Sequence, residues 1–180
     1  MTDRDSPSVV RRAPWPEVAS RPLVTPLQPS VVYTVADADA LDAQYEGRAP
    51  GYAYAREGHP NADVLGAKID RLEGVTQAMG AGVVTGSGMA AVTAVFLGLL
   101  KAGDHVIGGD QLYGKSLKLL TQDLPRFGVA TTLADPTDAA AIEAAIRPET
   151  RMIHVKTVSN PTLRVADLAG TAEIDPSPGH

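Results

Sequence analysis

Strand-like and helix-like segments alternate from residue 83 onward, and this alternation constrains the fold more than any other feature of the sequence. Four short runs have the aliphatic and β-branched composition of buried strands; they span 83–85, 105–107, 129–133 and 151–155. Three segments with helical spacing of apolar residues separate them; they span 89–103, 116–127 and 138–146, and the second is interrupted or ended at Pro125. Strands joined through helices run parallel, because the crossover returns the chain to the same edge of the sheet. The sequence therefore predicts an α/β fold with a parallel-rich sheet and helices on both faces.

Composition and charge exclude several classes of function. The 180 residues include 16 Lys and Arg against 21 Asp and Glu, a formal net charge of −5, which argues against dependence on nucleic acid or an anionic membrane surface. The absence of cysteine excludes a disulfide framework, a thiolate metal site and a thiol nucleophile. The most apolar run, 89–100, is too short to cross a bilayer. We therefore expect a soluble, cytoplasmic protein with no metal, nucleic-acid or membrane partner.

The first thirty residues differ in kind from the rest of the chain. They contain six prolines, which disfavour a long helix and favour an extended arm. The later part of this arm carries apolar residues, which we expect to lie on another surface. For residues 1–20 a disordered terminus is the alternative.

Two helices are predicted before the alternating region. The first covers 37–45 and is followed by glycine and proline. The second begins after Pro60, where Asn61 is predicted to act as the N-cap, and ends at Gly74. Its apolar residues recur at helical spacing; they are Leu65, Ile69 and Leu72.

The sharpest local signal is the turn Gly86-Ser87-Gly88 between the first predicted strand and the helix that follows it. The free amide groups at a helix N-terminus bind phosphate, assisted by the positive end of the helix dipole. Glycine lets a ligand approach the backbone closely. The turn therefore indicates a phosphate site, and a tight turn without a ligand is the alternative.

The spacing around this turn is compatible with two different ligands. Gly86-x-Gly88-x-x-Ala91 satisfies the dinucleotide fingerprint, and Asp110 follows the next strand where a ribose-binding acid would lie. Against a nicotinamide cofactor, some eighty residues precede the turn, whereas the fingerprint usually opens its domain. In addition, Tyr113 places an aromatic ring near the ligand.

The sequence also resembles a known family over most of its length. Seven blocks occur in the family's order: 25–33 (TPLQPSVVY), 52–61 (YAYAREGHPN), 72–74 (LEG), 87–91 (SGMAA), 103–106 (GDHV), 110–114 (DQLYG) and 159–162 (SNPT). Together they resemble the start of the Cys/Met-metabolism enzymes that depend on pyridoxal 5′-phosphate (PLP), such as cystathionine γ-synthase, cystathionine γ-lyase and methionine γ-lyase. The resemblance implies PLP fold-type I, the aspartate-aminotransferase-like fold, with an N-terminal arm and an incomplete large domain.

The resemblance implies roles for six cofactor-binding residues. Gly88 and Met89 resemble the backbone cup for the PLP phosphate. Tyr54 and Arg56 resemble a pair that reaches across a dimer to the neighbouring subunit's phosphate, a task that suits the planar donor fork of arginine. An ordinary surface pair is the alternative for these two residues.

Two further residues resemble groups that contact the cofactor ring. Tyr113 resembles the aromatic residue that stacks on the pyridine, and Asn160 resembles the amide near the phenolic oxygen. The alternatives are a core residue for Tyr113 and a turn residue before proline for Asn160.

The chain also departs from the family pattern. In the family, the Schiff-base lysine, the carboxylate facing the pyridinium nitrogen and the arginine for the substrate carboxylate all lie beyond the Asn-Pro segment, and the chain ends first. The five lysines present lie outside the expected block; they are Lys68, Lys101, Lys115, Lys118 and Lys156. At Lys156 the family commonly has an acid. Asp167 matches an acid at a helix start, where we expect it to act as a cap.

These observations lead to an interpretation of the whole chain. Residues 1–60 are an arm and dimer-contact segment, 61–174 a partial PLP-binding large domain, and 175–180 an unmatched tail, as though the gene were cut or its frame changed. The resemblance implies elimination or replacement on sulfur amino acids through a PLP aldimine in a homo-oligomer, with this chain alone inactive. The alternatives are a non-catalytic partner or broken-gene fragment, and a nicotinamide-dinucleotide-binding domain.

Overall fold

A computed structural model describes residues 20, 22–75 and 82–174 of the chain. The chain divides into two compact units, Met1–Val83 and Val84–His180. The predictions for residues 1–19 and for the tail 175–180 lie outside the described residues.

The first unit contains an extended arm and two helices. Helix α1 is Ala38–Tyr45, and its N-cap Asp37 accepts a hydrogen bond from the Ala40 amide. Helix α2 is Pro60–Leu72, and Gly74 follows it with a positive φ of 73° that favours glycine. Both helices predicted for this region are confirmed.

The predicted role of Asn61 is wrong. The N-cap of α2 is His59, whose Nδ1 accepts the Asn61 amide at 3.1 Å. The Asn61 side chain instead accepts from the Gln28 amide and donates to the Gln28 carbonyl, both at 2.9 Å. Asn61 therefore joins the arm to α2, because its amide group can serve a donor and an acceptor of one extended strand at the same time.

The buried face of α2 is formed by Gly66 and Asp70. A Cβ atom added at Gly66 would lie 2.6 Å from the carbonyl oxygen of Gly82, so this glycine permits the close approach of two backbones. The apolar residues Leu65 and Ile69 remain 47% and 45% exposed. The predicted apolar stripe therefore exists, but the described residues leave it half uncovered.

The second unit is built on a three-stranded parallel sheet. Strand β1 lies at the centre between β2 and β3. The strands are β1 (His105–Gly109), β2 (Ala130–Ala134) and β3 (Thr150–His154), and the helices are α3 (Gly88–Leu99), α4 (Gly114–Lys118), α5 (Ala139–Ala144) and α6 (Leu168–Glu173). The predicted alternation of parallel strands and helices is confirmed for these three strands.

The first predicted strand, 83–85, does not form among the described residues. Residues 82–85 do not pair as a strand with any described residue, and Val83 is 85% exposed. The side chain of Thr85 turns to the carbonyl of Ser87 at 2.8 Å instead. A run of three apolar residues is compatible with a strand, but a strand also needs a neighbouring backbone to pair with.

Residues 114–127, which follow β1 after a short turn, are helical throughout but of more than one helical type. Helix α4 continues into a π turn at Leu119–Asp123 and a 3-10 turn at Leu124–Phe127, which ends at Gly128 with a φ of 79°. Pro125 lacks the amide that an α-helix needs at this point, and the change of helix type accommodates it. The helix predicted for 116–127, interrupted or ended at Pro125, is therefore a run of three helical types.

The core of the second unit lies between the sheet and its helices. Its buried side chains are Phe96, Val106, Leu112, Leu120, Leu124 and Val129. His105, also buried, bonds through its two ring nitrogens to Thr150 at 2.8 Å and Thr132 at 2.9 Å. This histidine therefore ties the central strand to both of its neighbours.

Candidate functional site

The loops that follow the three strands come together at one edge of the sheet. The carboxyl ends of parallel strands share an edge, and open α/β sheets bind ligands in the crevice there. Two side-chain contacts join these loops: Thr162 donates to Gln111, and Arg164 pairs with Asp135. The loops after β1, β2 and β3 are thereby linked into one surface.

The start of α3 leaves backbone amides open to solvent. Ser87 is the N-cap, and its hydroxyl accepts the Ala90 amide at 3.1 Å. Gly88 and Met89 are the first two residues of the helix, so their amides have no acceptor within it. Residues 86–88 are exposed, and a Cβ added at Gly86 or Gly88 would meet nothing within 4 Å. This end of α3 therefore offers donors and open space to an anionic group.

Met89 and Tyr113 are brought to the same region through Ser116. The hydroxyl of Ser116, which is buried on α4, donates to the Met89 sulfur at 3.7 Å. Tyr113 immediately precedes α4, and its side chain is 49% exposed. An aromatic ring half open to solvent can stack on a planar ligand, whereas a core tyrosine would be covered. The alternative interpretation of Tyr113 as a core residue is not supported.

Asn160 lies in a tightly bonded loop after β3. Ser159, which is 2% exposed, accepts the Arg164 amide through its hydroxyl at 2.8 Å and donates its own amide to the Arg164 carbonyl at 2.8 Å. The side-chain oxygen of Asn160 accepts a hydrogen bond from the Lys156 ammonium group. Leu163, in the same loop, has a positive φ of 56°, which is uncommon for a branched residue. The backbone around Asn160 is thus held in one conformation.

The pair formed by Arg164 and Asp135 was not predicted from the sequence. Arg164 donates to Asp135 and, at 2.8 Å, to the Thr137 hydroxyl. The Arg164 guanidinium, assisted by hydrogen bonds from Thr137, lowers the pKa of Asp135 to about 2. The Asp-Pro-Thr sequence at 135–137 signals a turn in which Asp135 bonds the Thr137 amide. No signal in the sequence indicates that Arg164 lies beside that turn.

Tyr54 and Arg56 belong to the first unit. The guanidinium carbon of Arg56 lies 4.8 Å from the centre of the Tyr54 ring, a cation–π geometry. Arg56 also contacts the Glu57 carboxylate at 3.6 Å, with three quarters of its side chain exposed. Both residues line a cavity of about 390 Å³. The two side chains are therefore in contact with each other, and most of the Arg56 side chain is exposed.

Two negative findings apply to residues 20, 22–75 and 82–174. They contain no cluster of three or more His, Asp or Glu that could hold a metal ion. They also contain no helix with the length and apolar character needed to span a bilayer.

Comparison with known proteins supports one family. A sequence profile described as Cys/Met metabolism PLP-dependent enzyme matches residues 8–177. L-methionine gamma-lyase of Porphyromonas gingivalis is 34% identical over 152 residues, which cover 84% of this chain and 37% of that protein.

Solved structures of related enzymes give the same result. Cystathionine gamma-lyase from Lactobacillus plantarum, complexed with L-serine, aligns with a TM-score of 0.68 at 34% identity, over 82% of this chain and 35% of its own. A chain described as an O-acetylhomoserine (thiol)-lyase of Campylobacter jejuni, which carries N′-pyridoxyl-lysine-5′-monophosphate, aligns with a TM-score of 0.69 at 29% identity, over 79% of this chain and 34% of its own.

The chain spans about a third of the length of these relatives. The predicted resemblance and PLP fold-type I are confirmed, and the comparisons lend no support to the dinucleotide-binding alternative. The chain belongs to the Cys/Met-metabolism family of PLP-dependent enzymes.

Proposed function

We propose that this chain forms the phosphate- and ring-facing part of a PLP site, in an enzyme that eliminates or replaces the sulfur group of an amino acid. The observation that carries the proposal is the opening of α3, where the amides of Gly88 and Met89 face open space beside an exposed turn. The family match supports PLP as the phosphate-bearing ligand for these amides.

The residues at the strand ends fit the chemistry of PLP. The phosphate group requires several hydrogen-bond donors and room near the backbone, and the exposed start of α3 offers both. The pyridine ring requires a flat partner, which the half-exposed ring of Tyr113 supplies. The ring oxygen requires a donor, which the amide nitrogen of Asn160 supplies. The phosphate, one face of the ring and the ring oxygen thus each have a matching group in the second unit.

In this proposal each residue has one task. Gly88 and Met89 donate their amides to the phosphate, Tyr113 covers one face of the ring, and Asn160 donates to the ring oxygen. When bound, PLP supplies an electron sink for the carbon that bears the substrate's amino group. The protein groups named here bind and orient the cofactor and shield one face of its ring from water.

Tyr54 and Arg56 are proposed to serve a second copy of the chain. Their cation–π contact and the exposed Arg56 side chain support this task, because a planar fork of donors suits a phosphate. We therefore propose a homo-oligomer in which residues 1–60 contact the neighbouring subunit.

We further propose that these 180 residues hold PLP without a specific lysine bond and are inactive by themselves. An amine becomes a good nucleophile when it is desolvated or lies next to another cation. Lys115 and Lys118 are exposed on α4, and the amine of Lys156 is bonded to Asn160. Lys101 lies at the opposite end of the sheet, where its amide bonds Asp104 just before β1 begins.

The test is a ligand titration by equilibrium dialysis. PLP, pyridoxal without phosphate, and NAD are titrated separately, and the PLP arm is repeated with inorganic phosphate. We expect PLP to bind, phosphate to compete with it, pyridoxal to bind at least about tenfold more weakly, and NAD not to bind. Equal affinity for PLP and pyridoxal, or binding of NAD with displacement of PLP, would overturn the proposal.

A covalent assay tests the second part. The chain is incubated with PLP, reduced with borohydride and analysed by mass spectrometry. We expect scattered, partial labelling of several lysines. One stoichiometrically modified lysine would show that a specific covalent site exists.

A further inference from the structure

Lys156 determines the orientation of the Asn160 side chain. The ammonium group of lysine has three donors and no acceptor, so it can bond only the oxygen of a side-chain amide. The Lys156 amine is bonded to the Asn160 oxygen. The amide nitrogen of Asn160 must therefore point to the other side, with both of its hydrogens available.

The backbone leaves Asn160 little freedom to escape this contact. An antiparallel bridge between Val158 and Val165 closes the loop, and the Ala166 amide donates to the Thr157 carbonyl at 3.0 Å. Ser159, the residue before Asn160, is buried and bonded to Arg164 through both backbone and side chain. The backbone next to Asn160 is thus fixed by these hydrogen bonds, and Lys156 holds its side chain.

The charge of Lys156 is not neutralised by a protein partner in the described part of the chain. The three ion pairs there join Arg48 to Glu46, Arg56 to Glu57 and Arg164 to Asp135. Arg164, the other cation of this loop, is thus matched by an acid, whereas Lys156 is not. An unmatched cation beside an amide nitrogen favours an anionic oxygen over a neutral or cationic group.

The Asn160 nitrogen also has no acceptor among the described residues. A donor pair without a protein partner, fixed in direction and next to a positive charge, suits an oxyanion of a ligand.

We propose that Lys156 is a positioning residue, which turns the amide nitrogen of Asn160 toward the strand ends and makes this loop a receptor for an anionic ring oxygen. The inference rests on the proposed function, because the ligand that bears this oxygen is PLP. It gives a specific role to Lys156, which has none in the proposed function, where the ligand is bound by Gly88, Met89, Tyr113 and Asn160. Lys156 does not bond the ligand covalently; it acts through Asn160 and through its charge.

The test uses 4′-deoxypyridoxine 5′-phosphate, which keeps the ring hydroxyl and phosphate of PLP but has no aldehyde to react with lysine. The proteins are the wild type, Lys156→Met, which removes charge and donors, and Lys156→Arg, which keeps both. Lys118→Met is the matched control, because Lys118 is an exposed lysine on α4 that forms no ion pair with any described residue. The dissociation constant and the midpoint pH of ring-hydroxyl ionisation in the bound probe are measured by absorbance.

We expect Lys156→Met to bind the probe about three- to tenfold more weakly. This is less than the loss of a buried charged hydrogen bond would cause, because the contact between Lys156 and Asn160 is exposed to solvent. We also expect the ring hydroxyl to ionise at higher pH in this variant, because the anionic form has lost its cation. Lys156→Arg and Lys118→Met should resemble the wild type in both measurements. A merely structural role of Lys156 would leave the ionisation midpoint unchanged.

The outcomes separate this inference from the proposed function. If the wild type does not bind the probe, both are overturned. If the wild type binds and Lys156→Met matches it in affinity and ionisation midpoint, the role of Lys156 is overturned while the proposed function stands. A ligand-free readout gives a second check: the side-chain amide resonances of Asn160 should shift in the ¹⁵N spectrum of Lys156→Met, and unchanged resonances would also overturn the inference.

Discussion

Replacing Gly88 by alanine tests whether the open start of α3 is a ligand site or only a turn. A Cβ at this position meets no atom of the described residues within 4 Å outside the adjoining helix backbone, so we expect the fold to accept the substitution. Alanine in a helix is also more stable than glycine by up to about 1 kcal/mol. A structural turn would therefore tolerate the change, and the free energy of unfolding should be unchanged or slightly higher.

Ligand binding should respond in the opposite direction. In a helix the Cβ atom points toward the N-terminus, which is the side to which the first amides of α3 point. A methyl group there occupies space next to the donors of Gly88 and Met89. Loss of one charged hydrogen bond costs about 1.5–3 kcal/mol, which corresponds to roughly ten- to hundredfold weaker binding.

Gly98→Ala is the matched control, because the same substitution lies in the same helix and its Cβ also meets nothing within 4 Å. Urea unfolding gives the stability of each variant, and equilibrium dialysis gives its affinity for PLP and for pyridoxal. We expect Gly88→Ala alone to lose its preference for PLP over pyridoxal. If Gly88→Ala binds PLP as tightly as the wild type, the phosphate does not lie on these amides and the reasoning is refuted.

Three further predictions concern other parts of the molecule. Gly66→Ala should lower the free energy of unfolding by about 1–3 kcal/mol, because its Cβ would lie 2.6 Å from a backbone oxygen; an unchanged urea midpoint would contradict this. Burial, and then the charge of Arg147, lower the pKa of His105, and burial lowers that of His154. The unfolded chain therefore binds protons more tightly, so stability measured from pH 7.5 to 5.5 should fall below about pH 6.5, and a rise there would refute the assignment. Co-expression with a full-length relative that lacks its own matching Tyr and Arg should restore some activity, and the Arg56→Ala chain should restore less; equal activity with both chains would exclude donation across a dimer.

The predictable parts of the fold depend on neighbours in sequence. The caps at Asp138 and Asp167 bond amides two or three residues away, so short-range patterns are sufficient to find them. The glycine turn before α3 is local in the same way. The three confirmed strands are short runs rich in aliphatic and β-branched residues, and their parallel order follows from the helices between them.

The strand predicted at 83–85 shows the limit of this reasoning. Local composition indicates whether a segment can be extended. A strand also requires a second strand to pair with, and local composition does not show whether one is present. The same holds for Asn61, which is a favourable cap residue by type but bonds Gln28, 33 residues earlier. In both cases a distant contact, or the lack of one, outweighed the local preference.

The sequence alone therefore determined the α/β class, the parallel sheet, the family and the glycine turn that leads into α3, because these depend on residue type, short-range spacing and a specific order of blocks. Only the tertiary structure decided which side chains meet. Arg164 and Asp135 are 29 residues apart, and His105 and Thr150 are 45 apart. Lys156 and Asn160 are four residues apart, and they meet in a loop that hydrogen bonds between Ser159 and Arg164 close. These contacts form when loops close and bring the groups together. The distance between two such residues along the chain does not indicate that they will be neighbours in space.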